Sequence, residues 1–393
     1  MMFRILTKVL SGNILYFGST WLMLAFTAKF YSIELMGVMG LSTAICAPLL
    51  LLFGLSPRQL VVTNIINVDD RFIGSRNTLL FLLTIFISIL SFFYVDKEYQ
   101  QAFLLFSFFK IFESCYELNY AVLTKAKDFA KLTSLQRVRS IQLFVFIIIS
   151  LISNSMELSL IGVIIFNIII LAYEKNKFYF ELDIRSVFYL IRISGFISLA
   201  SFVTLVYLNM PRYFLTGIDL FTLGIFTGLV NIVNVVRLVV QSMTQSLLPY
   251  LSESYRNNDL IYFKRIINKQ IGVVLVISIL TVCIFYFLGK EIFYFLYGKN
   301  FKVDDMVVYI AITYGLFLSL AMIFNNAATS IRIFKKQLAL SLLLLLIMGS
   351  IGFLLISKYA VFGAFFILFL CSVIQSLTLA ILIKNKIKRG FIF

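Results

Sequence analysis

The sequence contains no histidine, and its acidic residues are outnumbered by basic ones, 18 to 34. Without histidine the chain has no His-based metal site, Cys–His dyad or Ser–His–Asp triad. Four cysteines, Cys46, Cys115, Cys283 and Cys371, lie far apart in separate hydrophobic stretches. Such cysteines are typically small buried apolar residues, so we expect neither a disulfide nor a metal site from them. The sequence predicts no catalytic centre and no cofactor.

The composition indicates an integral membrane protein. Hydrophobic residues make up 61% of the chain and charged residues 13%, and the mean hydropathy is +1.00. A soluble domain is nearer half apolar and a quarter charged, so the solvent for this surface must be a bilayer. The opening MMFRILTKVLSGNILYFG resembles a signal peptide. Its apolar stretch continues and further spans follow, which favours an uncleaved first helix.

Twelve membrane-spanning helices are predicted, on the basis that about 20 helical residues cross the hydrocarbon core. The spans are 9–28, 33–54, 77–95, 100–122, 138–154, 157–173, 188–209, 220–247, 267–289, 305–328, 337–356 and 359–383. The fold class is therefore all-α.

The basic residues between the spans predict the orientation. With both termini in the cytoplasm, and with Arg139 and Lys269 at the very start of their spans counted with the adjoining connections, 24 Lys and Arg residues fall on the cytoplasmic side, 7 on the opposite side and 3 deeper inside spans. The 24 include Arg76 and Arg139, which are assigned to cytoplasmic connections. This bias is typical of a multi-pass protein of the bacterial plasma membrane, and it explains the net charge of +16 without nucleic acid as a partner.

The chain divides into two halves of six spans. The polar connection Tyr173–Val187 separates a predicted N-terminal lobe, 1–180, from a C-terminal lobe, 181–393. KFYSIELMGVMGLS around Gly37 weakly matches YFLTGIDLFTLGIFTG around Gly224. Two parallel repeats predict two pseudo-symmetric lobes around a central cavity, and such a chain can act as a monomer.

A polar stripe interrupts the eighth span. Its members Asn231, Asn234, Arg237, Gln241 and Gln245 are spaced by 3, 3, 4 and 4 residues. They share one helix face about 120° wide and about 21 Å long. Amides alone could serve to hold neighbouring helices together. A transmembrane arginine is by default a functional candidate, so we predict that the stripe binds substrate.

The fourth span carries Lys110, Glu113 and Glu117 on one face, at spacings of 3 and 4. Lys110 and Glu113 could simply neutralise each other, or they could take part in ion coupling or charge pairing. Glu117 is then a candidate partner for Arg237 or Arg192, or a carboxylate that couples transport to H⁺ or Na⁺.

Further charged or polar residues are weaker candidates for substrate binding. Arg192 lies near the start of the seventh span, where extending to the cytoplasmic surface is the simpler explanation. Lys29 and Arg212 lie at the outer ends of their spans, at a predicted cavity mouth. Asn325 and Asn326 suit either helix packing or a site. The surplus of cations predicts an anionic cargo such as a diphosphate or an acidic sugar.

Several segments carry a family resemblance. The twelve spans, the LGIF segment after an outer turn, SLLPYLSESYRNND before a basic linker, and FLYGKNF after span nine resemble the O-antigen and polysaccharide flippases. These belong to the multidrug/oligosaccharidyl-lipid/polysaccharide exporter superfamily. The resemblance implies alternating-access transport of undecaprenyl-diphosphate-linked oligosaccharide from the cytoplasmic to the periplasmic leaflet, with an ion gradient as a candidate driving force. The resemblance assigns no role to any particular residue.

Three other functions remain as alternatives. Drug/cation antiporters of the same superfamily tend to place acidic residues in span one or seven, and both lack them here. Asp69–Arg76 faintly resembles a loop of major-facilitator transporters, but we interpret it as a solvated loop. A membrane-embedded glycan polymerase or acyltransferase would need a sizeable outer loop. The longest outer connection, Lys290–Asp305, is short and has no histidine, so a non-enzymatic carrier is predicted.

Overall fold

A computed structural model describes residues 2–54, 61, 70–126, 128–173 and 184–388, and nearly all of these lie in helices. The helices are α1 (Met2–Phe30), α2 (Ile33–Phe53), α3 (Asp70–Tyr94), α4 (Lys97–Lys125), α5 (Phe129–Ser153), α6 (Met156–Tyr173), α7 (Ile184–Thr216), α8 (Leu220–Arg256), α9 (Leu260–Tyr297), α10 (Asp305–Ser330), α11 (Phe334–Ile347) and α12 (Phe353–Lys388).

Two of these helices are interrupted. A turn at Ile141 divides α5 into Phe129–Ser140 and Gln142–Ser153. A π-helical segment, Met348–Gly352, joins α11 to α12, and the backbone of α12 is non-helical at Ala360, where φ is 45°. With Ala360 as the turn between the last two spans, each predicted span overlaps one helical stretch, although several helices begin or end some residues beyond the predicted bounds. The all-helical prediction is confirmed.

The outer surface of the helices suits a bilayer. Within the described residues, seven helical segments are long and apolar enough to cross a membrane, and α8 is an eighth when its two parts, bent by 46°, are taken together. Large apolar side chains such as Phe81, Phe86, Ile279 and Phe287 are exposed. An apolar surface this extensive would not persist in water, so the chain is a multi-pass membrane protein.

The first six helices pack against one another as the last six do. Helix α1 packs on α5 as α7 packs on α11, and α2 packs on α4 as α8 packs on α10. The pairs α4–α6 and α10–α12 correspond in the same way. The two halves therefore repeat one arrangement of helices. The connection at 174–183, where the lobe boundary was predicted, lies outside the described residues.

Helices α2 and α8 begin in the same manner. Adding 187 to a residue number in the first motif gives its counterpart in the second, so that Ser32 corresponds to Asp219 and Leu35 to Thr222. Ser32 Oγ accepts a hydrogen bond from Leu35 N at 3.1 Å, and Asp219 Oδ1 accepts one from Thr222 N at 2.6 Å. Both side chains are N-caps, which satisfy an otherwise unpaired amide of the first turn. The weak match seen in the sequence is a structural repeat.

The two repeated segments contact each other through glycine. A β-carbon on Gly37 would lie 2.6 Å from Leu220 O, and one on Gly224 would collide with Ile33 O. Leu220 is the counterpart of Ile33, so the contact is reciprocal, as at a local two-fold axis. Glycine lets the two backbones approach at the junction between the halves.

Two arginines assigned to cytoplasmic connections are buried. Helix α3 already begins at Asp70, so the predicted solvated loop Asp69–Arg76 is wrong over its helical part, and Asp69 itself lies outside the described residues. Arg76 Nε donates to Gly54 O at 3.2 Å and Nη2 to Ser114 O at 2.6 Å. Arg139 is fully buried in α5. Oxygen atoms of the protein take the place of water around both guanidinium groups. Counting the charges in predicted loops cannot detect such buried arginines.

Candidate functional site

Arg237 is half-buried in α8, beside the 46° bend that separates Asn234 from Val236. Its Nη1 lies 3.4 Å from Asn234 Oδ1, a long hydrogen bond. The guanidinium has five N–H donors, so the one hydrogen bond found among the described residues leaves most of its donor capacity for another group.

Arg212 lies one turn before the end of α7 and is 8% exposed. It donates through Nη1 to Asn209 Oδ1, and its guanidinium lies 5.9 Å from the centre of the Phe226 ring. Its Nε is buried and has no hydrogen-bond partner among the described residues. Leaving a charged donor unsatisfied in the interior is costly, so this atom is suited to a ligand oxygen.

Arg212 and Arg237, hereafter the arginine pair, share one environment. The Tyr314 side chain of α10 lies within electrostatic range of both guanidinium groups, which also act on each other. Tyr207 lies near Arg237, and its hydroxyl donates to Gln375 Oε1 at 2.7 Å. Sequence reasoning missed these two tyrosines, because a tyrosine in an apolar span looks like core.

No acidic residue occurs deep within α7–α12. In residues 184–388 the carboxylates are all near helix ends: Asp219, Glu253, Asp259, Glu291, Asp304 and Asp305. The arginine pair therefore has no carboxylate in the interior of its own half, and the region is cationic. A group that supplies the missing negative charge would be bound strongly in such a setting.

The rest of the stripe follows the predicted helix face. Asn231 is buried, and Asn234, Gln241 and Gln245 are half-buried like Arg237. The Asn231 side chain lies near the Tyr297 hydroxyl, but its Nδ2 makes no well-aligned hydrogen bond with any described residue. The five side chains thus follow one face of α8, with Asn231 buried and the other four partly accessible.

The charged residues of α4 form a pair in the first half. Lys110 Nζ and Glu113 Oε2 are 2.8 Å apart, and each side chain is 16% exposed. Glu113 Oε1 also accepts a hydrogen bond from the Tyr16 hydroxyl of α1. The ammonium lies over the Phe106 and Phe109 rings at 5.5 and 5.4 Å. Each carboxylate oxygen of Glu113 therefore has a partner within the first half.

Arg139 lies close to this pair, with its guanidinium carbon 4.2 Å from the centre of the Tyr16 ring and 3.8 Å from that of the Tyr116 ring. It donates to the Tyr16 hydroxyl at 2.8 Å and to the Tyr120 hydroxyl at 2.7 Å. Stacking of a guanidinium on aromatic rings combined with hydrogen bonds is a strong way to hold a buried cation. We call Lys110, Glu113, Tyr16, Tyr120 and Arg139 the Arg139 cluster.

Other predicted site residues lie elsewhere. Glu117 interacts electrostatically with Arg76, on the first half's side of the molecule. Arg192 is exposed on α7. Lys29 is exposed as well, and its Nζ donates to Phe295 O at 3.0 Å near the end of α9. The structure brings Arg212 within electrostatic range of Arg237, whereas Arg192 and Lys29 are exposed and Glu117 interacts with Arg76.

Asn325 and Asn326 take part in helix packing. Asn325 Oδ1 accepts a hydrogen bond from Gln337 Nε2 at 2.9 Å, and Asn326 Nδ2 donates to Thr244 O at 2.7 Å. In the described part of the chain, no three Cys, Asp or Glu side chains come together as metal ligands would.

One curated protein shows sequence similarity over most of the chain. The capsular polysaccharide biosynthesis protein CapF of Staphylococcus aureus is 24% identical over 365 residues, which cover 90% of this chain and 92% of CapF. No family model matches the sequence. This similarity to a polysaccharide biosynthesis protein covers nearly the whole chain and does not depend on the short motifs.

Solved structures share the fold. An outward-facing multidrug resistance MATE family transporter of the MOP superfamily superposes with a TM-score of 0.69 at 11% identity, covering 99% of this chain and 95% of its own. A MOP superfamily transporter from Pyrococcus furiosus, described by a binding pocket of reversed polarity, gives 0.70 at 11% identity, covering 98% and 95%. The Vibrio cholerae MATE transporter VcmN in its bent form gives 0.67 at 13% identity, covering 99% and 96%. The fold predicted by the resemblance is confirmed.

Proposed function

We propose that this chain, which has the fold of the MOP superfamily transporters, moves a lipid-linked oligosaccharide across the bacterial plasma membrane. In this proposal both termini are cytoplasmic, and the cargo, an undecaprenyl-diphosphate-linked repeat unit of capsule or O-antigen, passes from the cytoplasmic to the periplasmic leaflet. The similarity to CapF supports a role in polysaccharide biosynthesis.

One observation carries the proposal: the arginine pair lies in a half whose interior has no carboxylate. Two guanidinium groups offer paired N–H donors that match the oxygens of a diphosphate. Arg212 Nε is a buried donor that still lacks a partner among the described residues. A cationic drug would be repelled from the same place, so the arginine pair disfavours the drug/cation antiporter alternative.

The contact between halves is suited to alternating access. The reciprocal contact of Gly37 with Gly224 lies near a local two-fold axis, about which two rigid bundles could rock. The bend in α8 lies beside Arg237. Cargo bound there would therefore act directly on the helix that joins the halves.

Replacement of Arg237 by Gln tests the proposal. In cells that depend on this chain for surface polysaccharide, we expect Arg237→Gln to lower surface glycan to less than about a tenth at equal protein abundance, because the diphosphate loses a charged partner. Lipid-linked oligosaccharide should then accumulate on the cytoplasmic side. Surface glycan is measured by immunoblot, and lipid-linked oligosaccharide is measured after lipid extraction.

Arg192→Gln is the matched control, since it removes the same charge from an exposed site on α7. We expect it to leave surface glycan near the normal level. Equal glycan levels in the two variants would contradict a role for Arg237 in binding cargo.

Ion coupling belongs to the same proposal. Lys110 and Tyr16 both engage Glu113, whereas Glu117 lies in the field of Arg76. If Glu117 couples transport to H⁺ or Na⁺, Glu117→Gln should make transport in vesicles insensitive to an imposed gradient. A variant that responds to the gradient like the unmodified protein would exclude Glu117 as the coupling group.

A further inference from the structure

Helix α9 carries a basic groove at its first turns. The helix has 38 residues and is therefore about 57 Å long, well beyond the hydrocarbon thickness of about 30 Å. Its N-terminal part, before the apolar span, carries a shallow, open groove lined by Ile261, Lys264, Arg265, Asn268 and Lys269. These five residues, the basic groove, lie on one half of the helix circumference.

The basic groove is positively charged and open. Lys264, Arg265 and Lys269 are all exposed, and no carboxylate is among the lining residues. The nearby Asp259 caps the helix and accepts a hydrogen bond from Tyr262 N at 2.9 Å. Three cations around one groove are suited to a phosphate group.

The same helix face continues as an apolar surface. Beyond Lys269, no atom lies within 4 Å of a β-carbon placed on Gly272, so the face has a notch there. Val276, Ile279 and Phe287 follow on this face and are 59%, 63% and 74% exposed. A phosphate in the basic groove would therefore lie directly beside a surface suited to acyl chains.

The opposite face of α9 packs against the protein. Phe263, Ile266 and Val274 are buried there, and α9 contacts α8 and α10. The basic groove thus faces away from the stripe of α8. A ligand in the groove lies at the outer circumference of the helices and outside the route to the arginine pair.

We infer that the basic groove binds an anionic phospholipid of the cytoplasmic leaflet, with its phosphate among Lys264, Arg265 and Lys269 and its acyl chains along α9. The assignment to the cytoplasmic leaflet rests on the membrane orientation given in the proposed function. Continuity with the apolar face favours a phospholipid over a soluble phosphate. The position away from α8 favours a resident lipid over the transported cargo.

The test compares two triple variants of the full-length protein without cargo. Lys264→Gln, Arg265→Gln and Lys269→Gln together remove the cations of the basic groove. Arg332→Gln, Lys335→Gln and Lys336→Gln remove three cations near the start of α11, on the same predicted side. Binding of phosphatidylglycerol is measured by native mass spectrometry, and thermal unfolding is followed in nanodiscs with phosphatidylglycerol or phosphatidylcholine.

We expect the groove variant to bind phosphatidylglycerol on the order of a hundredfold more weakly, since each basic residue near an anionic surface contributes about fivefold. It should also lose the stabilisation by phosphatidylglycerol over phosphatidylcholine, which the α11 variant should keep. If both variants lose phosphatidylglycerol binding equally, the lipid is held by general attraction to positive charge, and the site in the basic groove is excluded. Competition by inorganic phosphate at matched concentration would overturn the choice of a lipid. Neither outcome depends on polysaccharide export, which is measured separately.

Discussion

Replacing Arg139 with methionine is expected to lower the free energy of unfolding by about 3–5 kcal/mol, the cost of removing one partner from a buried charged network. Arg139 is fully buried, and its side chain makes hydrogen bonds at both ends of the guanidinium. Unfolding in mixed micelles, followed by circular dichroism, provides the measurement. The free energy of unfolding of Arg139→Lys should lie between those of the unmodified protein and of Arg139→Met, because lysine keeps the charge but lacks the planar array of donors of the guanidinium.

The reason for the large effect is the position of Arg139 within its cluster. Its guanidinium supports the Tyr16 hydroxyl, which in turn donates to Glu113. Without Arg139, the compensation of the Glu113 carboxylate falls to the Lys110 ammonium, which is itself partly exposed. A carboxylate in an apolar interior is stable only when its charge is compensated.

Arg137→Met is the matched control. Arg137 is two residues earlier on the same helix and exposed, and its Nη2 donates to Ser11 Oγ at 3.1 Å. Surface substitutions of this kind usually change stability by less than about 0.5 kcal/mol. If both methionine variants unfold alike, Arg139 does not hold the first half together. In a double-mutant cycle, Glu113→Gln should make Arg139→Met less destabilising.

The sequence contains a signal for this cluster that the tally of loop charges obscured. Gln136, Arg139 and Gln142 are spaced by three residues, as Asn231, Asn234 and Arg237 are in α8. The predicted fifth span began at 138, so the start of the polar series was assigned to a cytoplasmic connection. Hydropathy alone cannot recognise a helix whose first half is polar and buried.

The helices and the site differ in how far the sequence determines them. The twelve spans follow from the requirement that backbone amides be paired within lipid, which leaves long apolar helices as the only choice for such a chain. The approach of Arg212 to Arg237 depends on how α7 and α8 pack. Arg212 was expected at the outer mouth because α7 was predicted to end near 209, whereas the helix continues to Thr216. The additional turns place Arg212 inside.

The second large effect is expected at the contact between the repeated segments KFYSIELMGVMGLS and YFLTGIDLFTLGIFTG, which meet at Gly37 and Gly224. A side chain on Gly224 meets a carbonyl oxygen of α2, which cannot rotate away as a side chain can. We expect Gly224→Leu to destabilise the protein by about 3 kcal/mol or more, at or above the usual range for overpacking. To be accommodated, the leucine must force the N-terminal ends of α2 and α8 apart.

The single tryptophan of the chain reports this separation. Trp21 Nε1 of α1 donates to the Tyr297 hydroxyl of α9 at 3.2 Å, and that hydroxyl donates to Gly228 O of α8 at 2.9 Å. This contact joins the halves one turn beyond Gly224. In Gly224→Leu, we expect Trp21 fluorescence to move to longer wavelength and to become accessible to a soluble quencher.

Gly272→Leu is the control for this experiment, because its side chain would enter open space on α9. It should leave both the stability and the Trp21 emission unchanged. If Gly224→Leu also leaves them unchanged, the halves are not held together by the glycine contact, and rocking about that point has no structural basis. A shift in emission without loss of stability would mean that the halves separate easily, so that the glycine contact is a weak and reversible one.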